Sequence, residues 1–366
     1  RTNGSILKIN TNDYSDHSYI TPSGTWSFDQ IVYCNGFIWG ANGNKIIRID
    51  PSTLAYKTAD LDYFLAHGSE PIITSHDRYL YISGIRYVYK FDSNYFLGTD
   101  ISTNCPEYSL DNAKIGTYDS YTRGQWLLYN YQYSSYEGNS KGAVHSGIAD
   151  GENLYLAYTT SYGDFFDGNG FNASTGLSGN ELHKVNITDM STGSYVIIPK
   201  CTDDMDQDLD YVYLGCEIQP SADPSTYGFG CSALSVRKPD LKVSLLPRNE
   251  SAIQNPPLKQ SYGVFRRGNY LIDIRTSGNI AITDLRDTSI WSLSLPLNKY
   301  ASDYLSPASG IGNDMIIDYN KIHHIFTWAV SGGAPQPSGL YKIRFPSHLV
   351  LTAKPMIMTI DASIVA

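Results

Sequence analysis

Chemistry in this chain would have to start from its carboxylates. Asp203, Asp204, Asp206, Asp208 and Asp210 crowd one short stretch just ahead of the apolar run Tyr211-Val212-Tyr213-Leu214. Carboxylates that close repel one another unless water or a cation lies between them. Hard cations such as Ca²⁺ take several oxygen ligands from acidic loops. Read as a loop, the stretch offers Asp203, Asp204, Asp206 and Asp208 as candidate calcium ligands; the bland alternative is a solvated acidic surface. Asp164, Asp167 and Asn169 form a second, sparser candidate, and neither group follows EF-hand spacing. Phosphate-binding glycine loops, HExxH and GxSxG are all absent, so no catalytic residue is nominated. Of the eight histidines only His323 and His324 adjoin, and neighbours on a strand face opposite ways.

Recognition chemistry is better represented. Residues 111–142 are rich in Tyr, Ser, Gly and Asn and include Tyr129, Tyr131, Tyr133 and Tyr136. Residues 159–180 are rich in Gly, Asn and Phe and include Phe165 and Phe166. Tyr supplies contact area, and Ser, Gly and Asn supply adaptable hydrogen bonds, which is the composition of binding loops. These six aromatic residues are the candidate ligand contacts, to a glycan or a protein; solvated insertions are the alternative. Asn3, Asn172, Asn186 and Asn249 begin Asn-X-Ser/Thr sequons and permit glycosylation in a secreted setting. The five cysteines contain no CxxC pair, which excludes zinc-ribbon and thioredoxin readings. Cys201, Cys216 and Cys231 are evenly spaced and are read as either one disulfide or buried free thiols.

The elements that must position these residues are strands in a degenerate repeat. One copy runs from Ile31 to Leu54 and the next from Ile72 to Ser93, each reading as strand, turn, strand, turn, strand. Asn35-Gly36 and His76-Asp77 occupy the places of tight hairpin turns. The third strand recurs as apolar, often basic, apolar, polar. Its copies are Leu7-Lys8-Ile9-Asn10, Ile47-Arg48-Ile49-Asp50, Tyr89-Lys90-Phe91-Asp92 and His183-Lys184-Val185-Asn186. Weaker copies are Leu234-Ser235-Val236-Arg237, Ile280-Ala281-Ile282-Thr283 and Tyr341-Lys342-Ile343-Arg344. The basic residue is read as a stem lying along a sheet face with its charge in water. The first spacings are near 40 residues, the size of a four-stranded blade. The wider gap from Phe91 to Val185 holds two units, or one with a long insertion.

These lines, with "NGFIWGANGNKIIRIDPSTL" and "DRYLYISGIRYVYKFD" the clearest, resemble the blades of the YVTN- and quinoprotein-like β-propellers. The resemblance implies an all-β chain: a single β-propeller spanning 1–366, built of four-stranded antiparallel blades, with 111–142 and 159–180 as insertions. Seven third-strand copies give seven blades, with six or eight as alternatives. The chain opens on a third strand and ends on the apolar run Met356-Ile357-Met358-Thr359-Ile360. Ring closure by N- and C-terminal strands would remove an exposed edge. Alternatively, residues 352–366 form a strand exchanged with a neighbour.

Composition agrees with strands and turns: 13% aromatic residues, 30 Tyr and 31 Gly, with only 17% charged. A net charge of -9 opposes nucleic-acid binding, and no apolar run approaches the length of a membrane helix. The first residue is Arg1, as expected of a processed chain or a piece of a longer one. The expected function is an extracellular, non-enzymatic module: a surface adhesin, filament subunit, or virion or tail-fibre component, binding glycans or proteins at a surface. The alternative is a propeller enzyme acting on polysaccharide, as a glycoside hydrolase or lyase, whose catalytic groups would gather from several blades without a linear motif.

Overall fold

The first hairpin turns on Asn35-Gly36, both at positive φ (51° and 86°), the left-handed region that Asn and Gly enter most readily. The turn joins β3 (Ile31–Cys34) to β4 (Phe37–Asn42), and β5 (Lys45–Ile49) and β6 (Tyr56–Asp60) complete an antiparallel sheet, sheet I. In the next sheet the turn is centred on Asp77-Arg78 rather than His76-Asp77, with His76 paired to Tyr79 and Asp77 at φ 53°. The computed structural model describes residues 5–10, 13, 15–24, 31–42, 45–60, 72–83, 87–96, 114–119, 143–159, 181–188, 190, 193–198, 201–216, 231–247, 261–275, 279–287, 290–294, 315–317, 322–327, 330–331, 334–335 and 339–344.

Four further four-stranded sheets repeat the meander. Sheet II holds β7 (Ile72–His76), β8 (Tyr79–Ser83), β9 (Tyr87–Asp92) and β10 (Lys114–Asp119). Sheet III holds β11 (Ala143–Ala149), β12 (Asn153–Thr159), β13 (Glu181–Asn186) and β14 (Gly193–Ile197). Sheet IV holds β15 (Cys201–Gln207), β16 (Tyr211–Cys216), β17 (Cys231–Arg237) and β18 (Val243–Pro247). Sheet V holds β19 (Ser261–Arg267), β20 (Tyr270–Arg275), β21 (Asn279–Asp284) and β22 (Ile290–Ser294). A hairpin of β1 (Ile6–Ile9) and β2 (His17–Ile20) precedes them. After them, β23 (Met315–Ile317) and β24 (Ile322–Thr327) form a three-stranded sheet with β27 (Gly339–Arg344). The small hairpin β25 (Val330–Ser331) and β26 (Ala334–Pro335) lies between β24 and β27 in the chain.

The first strands β3, β7, β11, β15 and β19 are neighbours in that order, so the sheets stack face to face. Sheets II and III adjoin, so the gap from Phe91 to Val185 is one repeat unit with long insertions, not two. An apolar cluster fills each junction. Trp39 and Ile46 meet Leu80 and Phe91 between sheets I and II. Tyr81 and Val88 meet Leu156 and Val185 between II and III. Tyr155 and Leu182 meet Val212 and Leu234 between III and IV, and Tyr213 and Ala233 meet Val264 and Leu271 between IV and V. Both faces of an inner sheet are buried, which is why runs such as Ile46-Ile47-Arg48-Ile49 are buried without alternation. Full burial of each Leu or Ile contributes about 1.5–3 kcal/mol. Ile6 joins Ile47, Ile49 and Leu54, so the β1–β2 hairpin packs on sheet I as one sheet packs on the next.

Every copy of the third-strand motif falls on β1, β5, β9, β13, β17, β21 or β27. The basic residue at its centre does more than lie along a face. Lys8 Nζ donates to the carbonyl of Ser52 (3.1 Å), Lys90 to that of Ile187 (2.6 Å) and Lys184 to that of Lys238 (2.8 Å). In each case the acceptor is in the turn after the third strand of the following sheet. That turn repeats as well. The N–H groups of Leu54, Met190 and Leu241 donate to the carbonyls of Asp50, Asn186 and Arg237, and these three buried apolar residues all have φ between 54° and 61°.

Candidate functional site

Antiparallel connectivity sorts the connections into two ends. The turns joining first to second and third to fourth strands lie at one end; the other connections lie at the opposite end. In sheet III, Ala143 is in register with Thr159, and Tyr158 with Glu181. The chain leaves at Thr159 and returns at Glu181, and β11 starts beside them at Ala143. Residues 160–180 are therefore attached at this end, and so are residues 120–142, which leave β10 at Asp119 beside Tyr87; residues 114–119, read as part of the 111–142 insertion, are strand β10 of sheet II instead. Tyr129, Tyr131, Tyr133, Tyr136, Phe165 and Phe166 themselves lie outside the described residues, as do residues 352–366.

A polar pair sits where the 159–180 insertion rejoins the sheet. Glu181 and His183 are two apart on β13 and share a face, with Oε2 2.7 Å from Nε2 and both side chains at 0% exposure. The imidazole stacks on Tyr195 at 5.7 Å. Glu181 Oε1 is buried without a hydrogen-bond partner. With no exposed atom, the pair cannot meet a substrate as it stands; it anchors the insertion's return point.

The acidic stretch lies elsewhere. Asp203, Asp204 and Asp206 are on strand β15, not in a loop, and of the four candidate ligands only Asp208 lies in the connection to β16, with Asp210. Asp208 Oδ1 accepts the N–H groups of Asp210 (2.9 Å) and Tyr211 (2.8 Å), and Oδ2 accepts the Tyr213 hydroxyl (2.8 Å). Arg266 Nε on sheet V stands 2.7 Å from Asp208 Oδ2, and the Arg266 N–H donates to Asp206 Oδ2. Burial pushes the Asp208 carboxyl up, but those hydrogen bonds and the guanidinium hold it below the ordinary carboxylate range. Asp150 does the same work in sheet III. It accepts the N–H groups of Glu152 and Asn153 and pairs at 2.9 Å with Lys238, whose Nζ also donates to Gln207. Its carboxyl is raised by burial but lowered further by Lys238 and the two N–H groups. Among the described residues, no three His, Cys, Asp or Glu side chains are placed to hold a metal ion.

The structure thus separates what the sequence set side by side. Asp208 is at the short-turn end; the aromatic insertions attach at the opposite end. Of the sequon residues, Asn186 is the exposed last residue of β13, its Oδ1 accepting the Thr188 N–H at 2.8 Å. Asn3, Asn172 and Asn249 lie outside the described residues. Sequence reasoning missed Glu181, Arg266 and Lys238. The available signal was His183 itself, in a third-strand position that is apolar in the other copies, with a carboxylate two residues before it.

No protein-family model matches the chain, and no curated protein matches it in sequence. Solved structures match it in fold. A chain of the mitotic checkpoint complex aligns over 88% of this chain and 78% of its own length, at 7% identity and TM-score 0.51. The WD40 domain of Pan2 from Neurospora crassa aligns over 81% and 71%, at 8% identity and TM-score 0.47. BamB from Moraxella catarrhalis aligns over 95% and 78%, at 11% identity and TM-score 0.47. These neighbours are β-propellers, and the likeness is one of fold alone.

Proposed function

We propose that the chain is a seven-bladed β-propeller that acts outside the cytoplasm as a non-enzymatic recognition or structural module, binding glycans or proteins through one loop-bearing end. The observation that carries this reading is the attachment of two aromatic-rich segments, 120–142 and 160–180, at one end of sheet III, around Ala143, Thr159 and Glu181. Loops gathered at one end of a rigid scaffold are a common site of binding. Seven third strands among the described residues, β1 counted among them, support seven blades. Lys8 reaches the turn of sheet I as Lys90 and Lys184 reach the turns of sheets III and IV, which supports β1 and β2 as the outer half of a closing blade. Ring closure by an N- and a C-terminal strand belongs to this reading. The polar turns, the sequon at exposed Asn186 and the low charge favour a surface or virion setting over the cytoplasm.

The test is binding of the purified chain to a broad glycan array, with calcium and with chelator, beside a variant with Tyr129, Tyr131, Tyr133 and Tyr136 changed to Ala. Sugar binding that the variant loses supports the reading. Because Arg266 already engages Asp206 and Asp208, the expected binding is insensitive to chelator. Binding unchanged in the variant would remove the insertion from the site, and cleavage of an arrayed polysaccharide would replace the reading with the enzymatic one.

A further inference from the structure

We propose that Cys201 and Cys216 form a cross-strand disulfide that ties β15 to β16 at the loop-bearing end of sheet IV. Cys201 opens β15, Cys216 closes β16 and Cys231 opens β17, so all three are at one end of one sheet. Register distinguishes among them. Cys201 is the direct partner of Cys216. On the other side of β16 the last pair is Gly215 with Ala233, and β17 is irregular between Cys231 and Ala233, so the ladder does not set Cys231 opposite Cys216. Directly opposed residues on antiparallel strands have Cα atoms about 4.5 or 5.5 Å apart, depending on the pair type. Both values fall inside the roughly 4.4–6.8 Å that a disulfide spans. Cys34 is not a competitor: it is 2% exposed in the junction of sheets I and II, its Sγ donating to the Asp77 carbonyl.

The pair flanks two connections. β16 hands the chain on at Cys216, and the segment 217–230 returns it at Cys231. Between Cys201 and Met205 the pairing with β16 is irregular, since Cys201 faces Cys216 and Met205 faces Leu214. A covalent link at Cys201 holds the register beyond that irregularity, where the ladder alone holds it weakly. The bond forms by exchange with a small-molecule disulfide. One cysteine thiolate attacks it and releases a thiol, and the second cysteine attacks the mixed disulfide and releases the other thiol. Two electrons and two protons thus pass from the cysteines to the small disulfide. This proposal does not rest on the recognition reading.

The test is to expose the folded full-length chain to oxidised glutathione, then denature, alkylate and weigh it. Two fewer alkylations than in the reduced chain are expected, with a peptide linking Cys201 to Cys216. The link should persist in Cys231→Ser and vanish in Cys201→Ser. The oxidised chain should melt roughly 5 °C above the reduced one. Alkylation of every cysteine, glutathione adducts in place of the link, or a link through Cys231 would overturn the proposal. If Cys201→Ser does not fold, the peptide map of the unmutated chain decides alone.

Discussion

Lys90 Nζ lies 2.6 Å from the carbonyl oxygen of Ile187, so the third strand of sheet II is bonded to the turn of sheet III. The ammonium also lies 4.4 Å from the Tyr79 ring centroid, and Lys90 is 8% exposed. A hydrogen bond to a charged group is worth about 1.5–3 kcal/mol. Lys90→Met keeps the stem and removes the charge, leaving the carbonyl unpaired. Urea denaturation should show a loss of about 1–3 kcal/mol. Lys8→Met, at the exposed copy of the same contact, should cost about 0.5 kcal/mol or less. Equal, small losses at both positions would mean that the buried contact adds nothing to stability.

Acid should loosen the junctions between sheets III, IV and V. Asp150 and Asp208 have carboxyls held below their ordinary range in the folded chain. A depressed folded pKa contributes stability that is complete above the unfolded value of about 3.9 and lost as pH falls through the folded value. The urea midpoint should therefore hold near neutrality and drop steeply below about pH 4. Asp208→Asn should start lower at pH 7 and fall less on acidification. A parallel fall in both proteins would assign the acid loss to other groups.

The buried Glu181–His183 pair predicts a position intolerant of truncation. Glu181→Ala removes the imidazole's partner inside a fully buried site and should cost about 2–4 kcal/mol, whereas Glu181→Gln keeps a hydrogen-bonding group and should cost less. Thermal melts of the two variants make the comparison. Equal melting temperatures would show that the space, not the polar contact, is what the fold requires.

Cys34 should be silent to thiol reagents in the native chain. It is buried, and burial pushes its thiol above the ordinary range, with the Ser93 hydrogen bond opposing. Reaction with an aromatic disulfide reagent, followed at this residue by peptide mapping, should begin only when denaturant unfolds sheets I and II. Rapid labelling of native protein would show that this junction opens locally.

The repeat was legible because strand and turn preferences are local. The third-strand copies from Ile9 to Ile343 could be located before any pairing was known, and each is on a strand of the expected rank. The His76-Asp77 turn was placed one residue early because two neighbouring polar dipeptides fit the same gap. The acidic stretch misled because charge is uncommon within strands. What makes it a strand is long-range: Asp206 is held by the Arg266 N–H on another sheet, a partner sixty residues on that carries no local mark. The lysines misled for the same reason. A charged residue on a strand reads as solvent-facing until the next sheet is packed against it.

Among the described residues, the polar contacts from Lys8, Lys90 and Lys184 to Asp150 and Asp208 that bind one sheet to the next involve short turns at a single pole. The opposite pole carries most of the long connections, among them the insertion between β12 and β13, while the long step from β9 to β10 lies at the first pole. Among the described residues, polar cohesion is gathered at one end of the strands and most of the long connections at the other. Segments at the loop-bearing pole can therefore be exchanged, lengthened or removed, changing what the chain touches, without cutting the polar seams at the other pole.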